Sequence, residues 1–358
     1  MTRYLLAGGG TAGHVLPLLA VADKLREREP DAVVRVLGTA EGLEQRLVPD
    51  RGYELLVIDK LPFPRRPGAA ALRFPGRFRA LIDRISGMID DHQIDIVVGF
   101  GGYVSAPAYL AARRRRIPLV VHEANSKPGI ANRLGSMLTP FVGVAFRDTR
   151  LRSARFVGMP LRREIEKLDR RARRADATES LGLDARRPTL LVTGGSLGAR
   201  HLNETIATSA ALLIGAGWNV VHITGTRSTV AYPDLPGYVV LPYLDRMELA
   251  FAAADLVVAR AGSSTVSELT ALGLPAVYVP LAIGNGEQTR NARDAAVARA
   301  AVVVANADFT PDWVAGALLR LMRDRAELAA MSARALVIGV RDGADRMVAL
   351  IDDAVSEH

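Results

Sequence analysis

The chain has 358 residues, of which 49% are hydrophobic and 23% charged, a composition typical of a globular protein with two domains of roughly 150 residues each. It contains no cysteine, which excludes disulfides and thiolate metal sites and favours a reducing compartment. No apolar run approaches the ~18 residues that span a bilayer, and the first residues show no signal-peptide pattern, so we expect an intracellular protein.

The net charge of +8 is concentrated in the first half of the chain. Residues 1–162 hold 25 basic and 15 acidic side chains, an excess of ten, whereas the remaining residues are slightly acidic. This asymmetry predicts that the first half meets an anionic partner, which could be a nucleic acid, an acidic lipid surface or a phosphorylated substrate.

The first half alternates short apolar runs with helical patterns, which is typical of a parallel α/β sheet. The predicted strands cover residues 4–7, 33–37, 53–58, 94–98 and 119–122, and the predicted helices cover residues 15–28 and 42–48.

The second half restarts the same pattern after residues 158–162, the best linker candidate. It predicts helices over 163–177 and 203–213, strands over 189–192, 219–223, 256–258, 276–279 and 301–304, and a helical tail over 312–355. A strand therefore runs into a glycine turn and a helix twice. This repeat predicts two Rossmann-like domains whose parallel sheets face each other across a cleft. We expect the domains to cover residues 1–161 and 162–337, and the C-terminal helix, residues 338–358, to pack back on the first domain.

The first glycine loop, residues 8–13, contains G-x-G-x-x-G between a strand and a helix. A nicotinamide-binding unit also needs an acidic residue at the end of its second strand, but that strand ends at Gly38-Thr39 and Glu41 lies in the next loop. The sequence therefore argues against nicotinamide binding. The loop still places backbone amides at a helix N-terminus, which suits the binding of an oxyanion or a sugar. His14 follows on the first helical turn, where the helix dipole favours the neutral imidazole that a general base requires.

Two further loops suggest ligand contacts in the second half. Residues 194–198 form a second glycine turn with a hydroxyl at Ser196. Residues 262–268 place several hydroxyls at a helix N-terminus, with Glu268 about one turn inside, which suits a diphosphate and the two hydroxyls of a ribose. The alternatives are a tight strand-to-helix turn for the glycines and helix capping for the hydroxyls. Two glycine loops at equivalent positions favour a ligand.

Seven motifs occur together and in order. They are GGTAGHVLP (residues 9–17), GFGGYVS (99–105), HEAN (122–125), GMPLR (158–162), GGSLGA (194–199), RAGSSTVSE (260–268) and QTRNA (288–292). This set resembles the MurG-type family of bacterial cell-wall glycosyltransferases over nearly the whole chain. The resemblance implies a GT-B fold and no metal cofactor. It also implies inverting transfer of N-acetylglucosamine from UDP-N-acetylglucosamine (UDP-GlcNAc) to the muramoyl 4-hydroxyl of lipid I, which yields lipid II for peptidoglycan.

The resemblance also implies roles for individual residues. His14 is the expected base, with Glu123 as the second choice. Expected donor contacts are Thr11, Ala12, Gly13, Asn125, Arg162, Ser196, Leu244, Ser263, Ser264, Thr265, Val266, Ser267, Glu268, Gln288 and Asn291. Expected acceptor contacts are Gly9, Gly10, Tyr103 and Asn132.

A lipid acceptor requires docking on the cytoplasmic face of the cell membrane, and residues 61–84 mix apolar and basic side chains in a way that suits an anionic interface. The expected contacts are Phe74, Arg77, Phe78 and Leu81, with Arg65 and Arg66 among the nearby cations. Nucleic acid is disfavoured because base-stacking aromatic residues do not alternate with the basic ones. Any partners among cell-wall and division proteins follow from the resemblance alone.

Other functions remain open from the sequence. Another GT-B enzyme that acts on UDP-GlcNAc, such as a 2-epimerase or a glycolipid glycosyltransferase, would share most of these motifs. A non-catalytic nucleotide-sugar sensor would bind the donor without turnover, and a dehydrogenase is a more distant alternative.

Overall fold

The computed structural model describes residues 1–64, 69–281 and 286–358. These residues divide into two compact units: Met1–Arg162 together with Arg341–His358, and Arg163–Val340. The C-terminal segment therefore belongs to the first unit, although it follows the second unit in sequence.

Each unit is built on one parallel sheet. The strands are β1 (Arg3–Gly8), β2 (Val33–Thr39), β3 (Glu54–Ile58), β4 (Ile96–Gly101), β5 (Leu119–Glu123), β6 (Val142–Val144), β7 (Ala154–Phe156), β8 (Thr189–Thr193), β9 (Asn219–Ile223), β10 (Tyr238–Leu241), β11 (Leu256–Ala259), β12 (Ala276–Tyr278) and β13 (Ala301–Val303). Their order is β3-β2-β1-β4-β5-β6-β7 in the first unit and β10-β9-β8-β11-β12-β13 in the second. The predicted α/β class with two parallel sheets is confirmed.

Helices connect the strands. They are α1 (Ala12–Arg28), α2 (Glu44–Asp50), α3 (Ala69–Asp91), α4 (Ser105–Arg115), α5 (Ile130–Leu138), α6 (Arg163–Glu166), α7 (Arg170–Ser180), α8 (Arg200–Gly215), α9 (Met247–Ala253), α10 (Ser263–Ala271), α11 (Glu287–Asn291), α12 (Arg293–Val297), α13 (Pro311–Trp313), α14 (Leu319–Arg323), α15 (Arg325–Ile338) and α16 (Gly343–Ser356), with a π-helical segment at Val314–Leu318. Within the described residues, no helix combines the length and the apolar character that crossing a bilayer requires.

The first unit buries both faces of its sheet, as a parallel sheet requires. Successive side chains of a strand point to opposite faces, so the fully buried Leu5 and Leu6 belong to different core clusters. Leu6 packs in the cluster that includes Met347 and Ile351 of α16, and Leu5 packs in the cluster that includes Ile85 of α3. Burial of each such side chain contributes ~1.5–3 kcal/mol. This core fixes α16 to the first unit.

Two segments that were each predicted as one continuous helix are divided into shorter helices in the structure. The helix expected over residues 163–177 is broken into α6 and α7, because the Asp169 carboxylate accepts hydrogen bonds from the amides of Arg171 and Ala172 and so begins a new helix. The tail expected over 312–355 is interrupted several times. Asp324 caps α15 through the Glu327 amide, and α15 ends before Gly339, where a Cβ would lie 2.3 Å from the Thr270 carbonyl oxygen.

Candidate active site

The predicted site residues follow the carboxyl ends of the strands in both units. In the first unit the glycine loop follows β1, Tyr103 follows β4, and Asn125 follows β5. In the second unit Ser196 follows β8, Leu244 follows β10, and α10 follows β11. Loops at this edge are where parallel α/β sheets bind ligands. The sequence motifs are therefore gathered at one edge of each sheet.

A buried carboxylate from α2 occupies the first glycine loop. Glu44 is fully buried, and its carboxylate accepts hydrogen bonds from the Gly10 amide at 2.9 Å, the Thr39 amide at 3.0 Å and the Thr39 hydroxyl at 2.9 Å. Burial raises the pKa of this carboxyl, but the hydrogen bonds outweigh burial and hold the pKa below its usual range. The Gly10 amide is therefore already bonded, which corrects the expectation that it is free for an oxyanion.

His14 lies on the first turn of α1, directly beside this loop. Its Nδ1 atom is 3.1 Å from the carbonyl oxygen of Gly9 and 3.3 Å from the Thr11 hydroxyl. Its Nε2 atom faces Gly101, where a Cβ would lie 3.1 Å from that nitrogen. The imidazole is half-buried and is oriented by the loop backbone through one nitrogen.

The loop after β4 packs closely on the first glycine loop. A Cβ on Gly102 would lie only 2.7 Å from the Gly9 carbonyl oxygen, so this approach requires glycine. The next residue, Tyr103, has about half of its surface exposed. The acceptor contact expected of Tyr103 stays a prediction.

Glu123 and Asn132 are used inside the first unit. The Glu123 carboxylate accepts from the Asn125 amide at 2.8 Å, the Gly129 amide at 3.0 Å and the Asn132 side chain at 2.9 Å. Asn132 is 2% exposed, and its side-chain oxygen accepts from the Tyr109 hydroxyl at 2.7 Å. The acceptor contact expected of Asn132 is therefore wrong for its side chain, because every polar atom of that amide already has a partner. The bonded state of Glu123 favours His14 as the base.

Five other expected donor contacts belong to the first unit. Thr11 is exposed at the N-cap of α1, while Ala12 and Gly13 form the first turn of that helix and are half-buried. Asn125 is half-buried, and its backbone oxygen accepts from the Thr149 hydroxyl at 3.2 Å. Arg162, the last residue of the first unit, is half-buried.

The second glycine loop exposes Ser196. Gly195 and Gly198 adopt φ values of +88° and +83°, and the Ser196 carbonyl oxygen accepts from the Thr226 amide at 3.2 Å. This bond holds the backbone of the loop, and the Ser196 side chain is exposed.

The N-terminus of α10 contains polar atoms that lack partners. Among the described residues, neither the buried Nε of Arg260 nor the buried hydroxyl of Ser264 has a hydrogen-bond partner. A buried polar atom without a partner costs ~1–3 kcal/mol, so such atoms need a physical explanation. Burial also lowers the pKa of Arg260, whose guanidinium donates to Asn306 at 2.7 Å. Sequence reasoning included Arg260 in a motif but gave it no role.

The other residues at the start of α10 differ in their exposure. Ser264, Thr265 and Ser267 are half-buried, whereas Ser263 and Glu268 are almost fully buried. Val266 packs its side chain into the interior at 3% exposure, so the donor contact expected of this residue stays a prediction, and only its backbone could make that contact.

Gln288 and Asn291 lie on α11, just after residues 282–285, which are outside the described part of the chain. The side-chain oxygen of Gln288 accepts from the Leu281 amide at 2.8 Å. Asn291 is buried and donates to the Ala261 carbonyl oxygen at 3.4 Å, below the start of α10. It therefore supports the α10 turn instead of reading a sugar directly. Leu244 is half-buried in the loop after β10.

An aromatic cluster marks the proposed membrane segment. The ring centroid of Phe74 is 5.1 Å from that of Phe63 and 5.4 Å from that of Phe78. Phe63 is 66% exposed and Arg77 is exposed, whereas Phe74 and Phe78 are half-buried. Nearby, Leu72 is 84% exposed.

Not every residue expected in that segment belongs to the surface. Leu81 is 8% exposed and packs in the core, so the membrane contact expected of it is wrong. Arg65 and Arg66 lie outside the described residues. In the nearby run of four arginines, Arg114 and Arg115 pair with Asp83 and Asp90 of α3.

A cavity of about 600 Å³ lies elsewhere in the second unit. Its lining includes Pro188, Asp255 and Pro275, which precede β8, β11 and β12, so it lies at the amino edge of the sheet. It contains none of the predicted site residues. In the described ranges, no group of three or more His, Asp or Glu side chains could hold a metal ion.

Two parallel α/β units with glycine-rich and hydroxyl-rich loops at their strand ends are the architecture of the GT-B class of glycosyltransferases. The family model of the glycosyltransferase family 28 N-terminal domain matches residues 4–140, and that of the family 28 C-terminal domain matches residues 189–347. The chain belongs to glycosyltransferase family 28.

Similar proteins agree with this assignment. A Leifsonia xyli subsp. xyli protein is 60% identical, over 99% of both chains, and a Clavibacter sepedonicus protein is 58% identical, over 100% of this chain and 98% of the other. Both are named UDP-N-acetylglucosamine--N-acetylmuramyl-(pentapeptide) pyrophosphoryl-undecaprenol N-acetylglucosamine transferase.

Solved structures show the same fold. The crystal structure of Acinetobacter baumannii MurG has a TM-score of 0.79 at 30% identity and covers 99% of this chain and 100% of its own. A UDP-GlcNAc 2-epimerase from Neisseria meningitidis has a TM-score of 0.68 at 13% identity, with 99% and 100% coverage, which shows likeness of fold alone.

Proposed function

We propose that the protein transfers N-acetylglucosamine from UDP-GlcNAc to the muramoyl 4-hydroxyl of lipid I, with inversion at the anomeric carbon. The observation that carries this proposal is the full-length identity of 58–60% to transferases named for that reaction. The position of His14 beside the first glycine loop supplies a chemical rationale.

The second unit binds the donor in this proposal. Ser196 and the α10 turn hold the diphosphate, Glu268 accepts from the ribose hydroxyls, Leu244 lies against the uracil, and Gln288 reads the sugar. The N-terminus of α10 supports it, because its first backbone amides and the half-buried hydroxyl residue Thr265 can donate to diphosphate oxygens. The same contacts stabilise the negative charge that develops on the departing UDP.

The first unit binds the acceptor and supplies the base. Nε2 of His14 takes the proton of the 4-hydroxyl, the oxygen attacks C1 of the sugar, and the bond from C1 to the UDP oxygen breaks. General-base assistance of this kind contributes about 10²–10⁴-fold in rate. Tyr103 and the backbone around Gly9 and Gly10 contact the acceptor.

The surface formed by Phe63, Leu72, Phe74, Arg77 and Phe78 docks on the cytoplasmic membrane leaflet where the lipid acceptor resides. Exposed apolar side chains beside arginines support this part of the proposal, since apolar groups enter the interface while each arginine gains about 1 kcal/mol from anionic lipid. No metal cofactor takes part in the proposed reaction.

The test is the release of UDP from UDP-GlcNAc, measured with and without a short-chain lipid I analogue. We expect release only with the analogue, and a loss of about 10²-fold or more in kcat for His14→Ala at unchanged donor affinity. Release without acceptor would indicate an epimerase or hydrolase. Tight donor binding without release in either condition would indicate a sensor.

A further inference from the structure

One peptide unit lies between two ionisable side chains of the first unit. The amide of Gly10 and the carbonyl of Gly9 belong to the same peptide bond. The amide donates to the Glu44 carboxylate at 2.9 Å, and the carbonyl oxygen is 3.1 Å from Nδ1 of His14. Glu44 and His14 are thus joined through the two ends of one planar, polarisable group.

The geometry selects one tautomer of His14. A carbonyl oxygen can only accept, so the contact with Gly9 is a hydrogen bond only when Nδ1 carries the hydrogen. If Nδ1 were bare, it could accept from the Thr11 hydroxyl, but its lone pair would then face the Gly9 carbonyl oxygen. With hydrogen on Nδ1, the lone pair is on Nε2, the nitrogen that a base uses to take a proton.

Glu44 is equipped to hold the peptide in this orientation. It is fully buried, and hydrogen bonds to its two oxygens come from Gly10 and from two groups of Thr39. A Cβ on Gly9 would lie 2.4 Å from Glu44 Oε1, so the loop backbone rests directly on the carboxylate. An ionised acceptor on the amide also increases the negative charge on the carbonyl oxygen of the same peptide, which strengthens its bond to His14.

We propose that Glu44 is a positioning residue that fixes the tautomer of His14 through the peptide bond between Gly9 and Gly10. No proton passes along the peptide. Nδ1 keeps its hydrogen, and the proton from the acceptor hydroxyl goes to Nε2. The catalytic consequence of this inference rests on the proposed function, whereas the tautomer itself does not.

The primary test is the tautomer of His14 in protein labelled with ¹⁵N-histidine, read from long-range proton–nitrogen spectra and assigned with His14→Gln. The wild type should show hydrogen on Nδ1 of the neutral ring. In Glu44→Gln the side-chain amide cannot accept from Gly10 and from Thr39 with the same two atoms, so the tautomers should mix. A neutral ring with hydrogen on Nε2 in the wild type would overturn the proposal.

Kinetics supply the second readout. Glu44→Gln should lower kcat by about tenfold or more while KM for UDP-GlcNAc stays within a factor of two, because the change acts on the base and most of the proposed donor contacts lie on the second unit. A folded Glu44→Gln variant with wild-type kcat would contradict the role. The matched surface control is Glu41→Gln in the loop before α2, whose exposed carboxylate pairs with Lys60 at 3.3 Å and which should leave kcat unchanged.

Thr39→Val distinguishes the proposed link through Gly10 from a purely structural role of Glu44. This change removes one hydroxyl donor to Glu44 but keeps the bond to Gly10, so stability should fall while hydrogen stays on Nδ1 of His14. Loss of the tautomer in Thr39→Val would show that general loosening, not the link through Gly10, sets it. If Glu44→Gln does not fold, the wild-type spectrum still decides whether Nδ1 of His14 carries the hydrogen. If no acceptor is glycosylated, the proposed function fails while the tautomer result stands.

Discussion

Gly101→Ala tests the position of His14 most sharply. Gly101 adopts a φ of +96° at the end of β4, and an added Cβ would lie 3.1 Å from Nε2 and 3.2 Å from Cδ2 of His14. The methyl group would therefore press on the nitrogen that is proposed to take the proton, without replacing any polar atom.

The expected cost has two parts. A side chain at this φ costs ~1–2 kcal/mol for the backbone alone. Contacts of 3.1–3.2 Å require a shift of a few tenths of an ångström, and the half-buried imidazole can give way, so we expect about 1 kcal/mol more. Gly217→Ala is the matched control, because Gly217 has a φ of +86° and no heavy atom within 4 Å of its added Cβ.

The assay combines urea unfolding with steady-state kinetics. Both variants should lose ~1–3 kcal/mol of unfolding free energy, but only Gly101→Ala should lose kcat, by about tenfold or more, because a shift of ~1 Å at a catalytic group is costly. A Gly101→Ala enzyme that is as active as Gly217→Ala would refute the placement of Nε2 at the reacting hydroxyl.

Three further outcomes follow from the structure. Asn132→Ala should lower the unfolding free energy by ~2–4 kcal/mol in urea melts, because it leaves buried partners unbonded, while KM for the acceptor changes little. Burial lowers the pKa of His122 to about 4 and of His222 to about 3, so both stay neutral in the fold but take up protons when unfolded. The unfolding free energy should therefore fall as pH drops from about 6.5 towards 4, by at most ~1.4 kcal/mol per pH unit for each histidine. Replacing Phe74 and Phe78 with serine should weaken co-sedimentation with anionic vesicles by about tenfold or more, since each phenylalanine contributes up to ~1.5–3 kcal/mol.

Each of these expectations has an outcome that contradicts it. A normally stable Asn132→Ala protein with a raised acceptor KM would return that residue to the acceptor site. Unfolding free energies that are flat between pH 6.5 and 5 would show that the two histidines are not buried as neutral groups. For the vesicles, Leu336→Ser on the second unit is the control, because Leu336 is also an exposed apolar residue, and equal loss in both variants would exclude a specific surface.

Most of the strands were predictable because each is an apolar run of a few residues flanked by turn residues. Residues 219–223 were predicted as a strand and match β9 at both ends. The strands β6, β7 and β10 were not identified. β6 contains Gly143 and β7 contains Arg155, so neither is a continuous apolar run. The break between α6 and α7 at Asp169 was not predicted, because a capping aspartate within a charged helical pattern looks like a surface residue of one longer helix.

The site was predictable in its loops but not in its hydrogen bonds. Motif order placed His14, Tyr103 and Ser196 at strand ends, where the structure has them. The partner of the Gly10 amide is 34 residues away, and it could be found only after α2 was placed below the loop. The sequence analysis sought an acidic residue after the second strand only as a mark of nicotinamide binding, and it did not single out Glu44. Asn132 was misassigned because its burial depends on the packing of α5 against Tyr109.

The most direct test of the account is the structure of the product formed from UDP-GlcNAc and a lipid I analogue, determined by mass spectrometry and by NMR of the new glycosidic bond. We expect one added N-acetylglucosamine on the muramoyl 4-oxygen in the β configuration, opposite to that of the donor. An α linkage would contradict single displacement with His14 as base. A free epimerised or hydrolysed sugar with unmodified lipid would contradict the transferase itself.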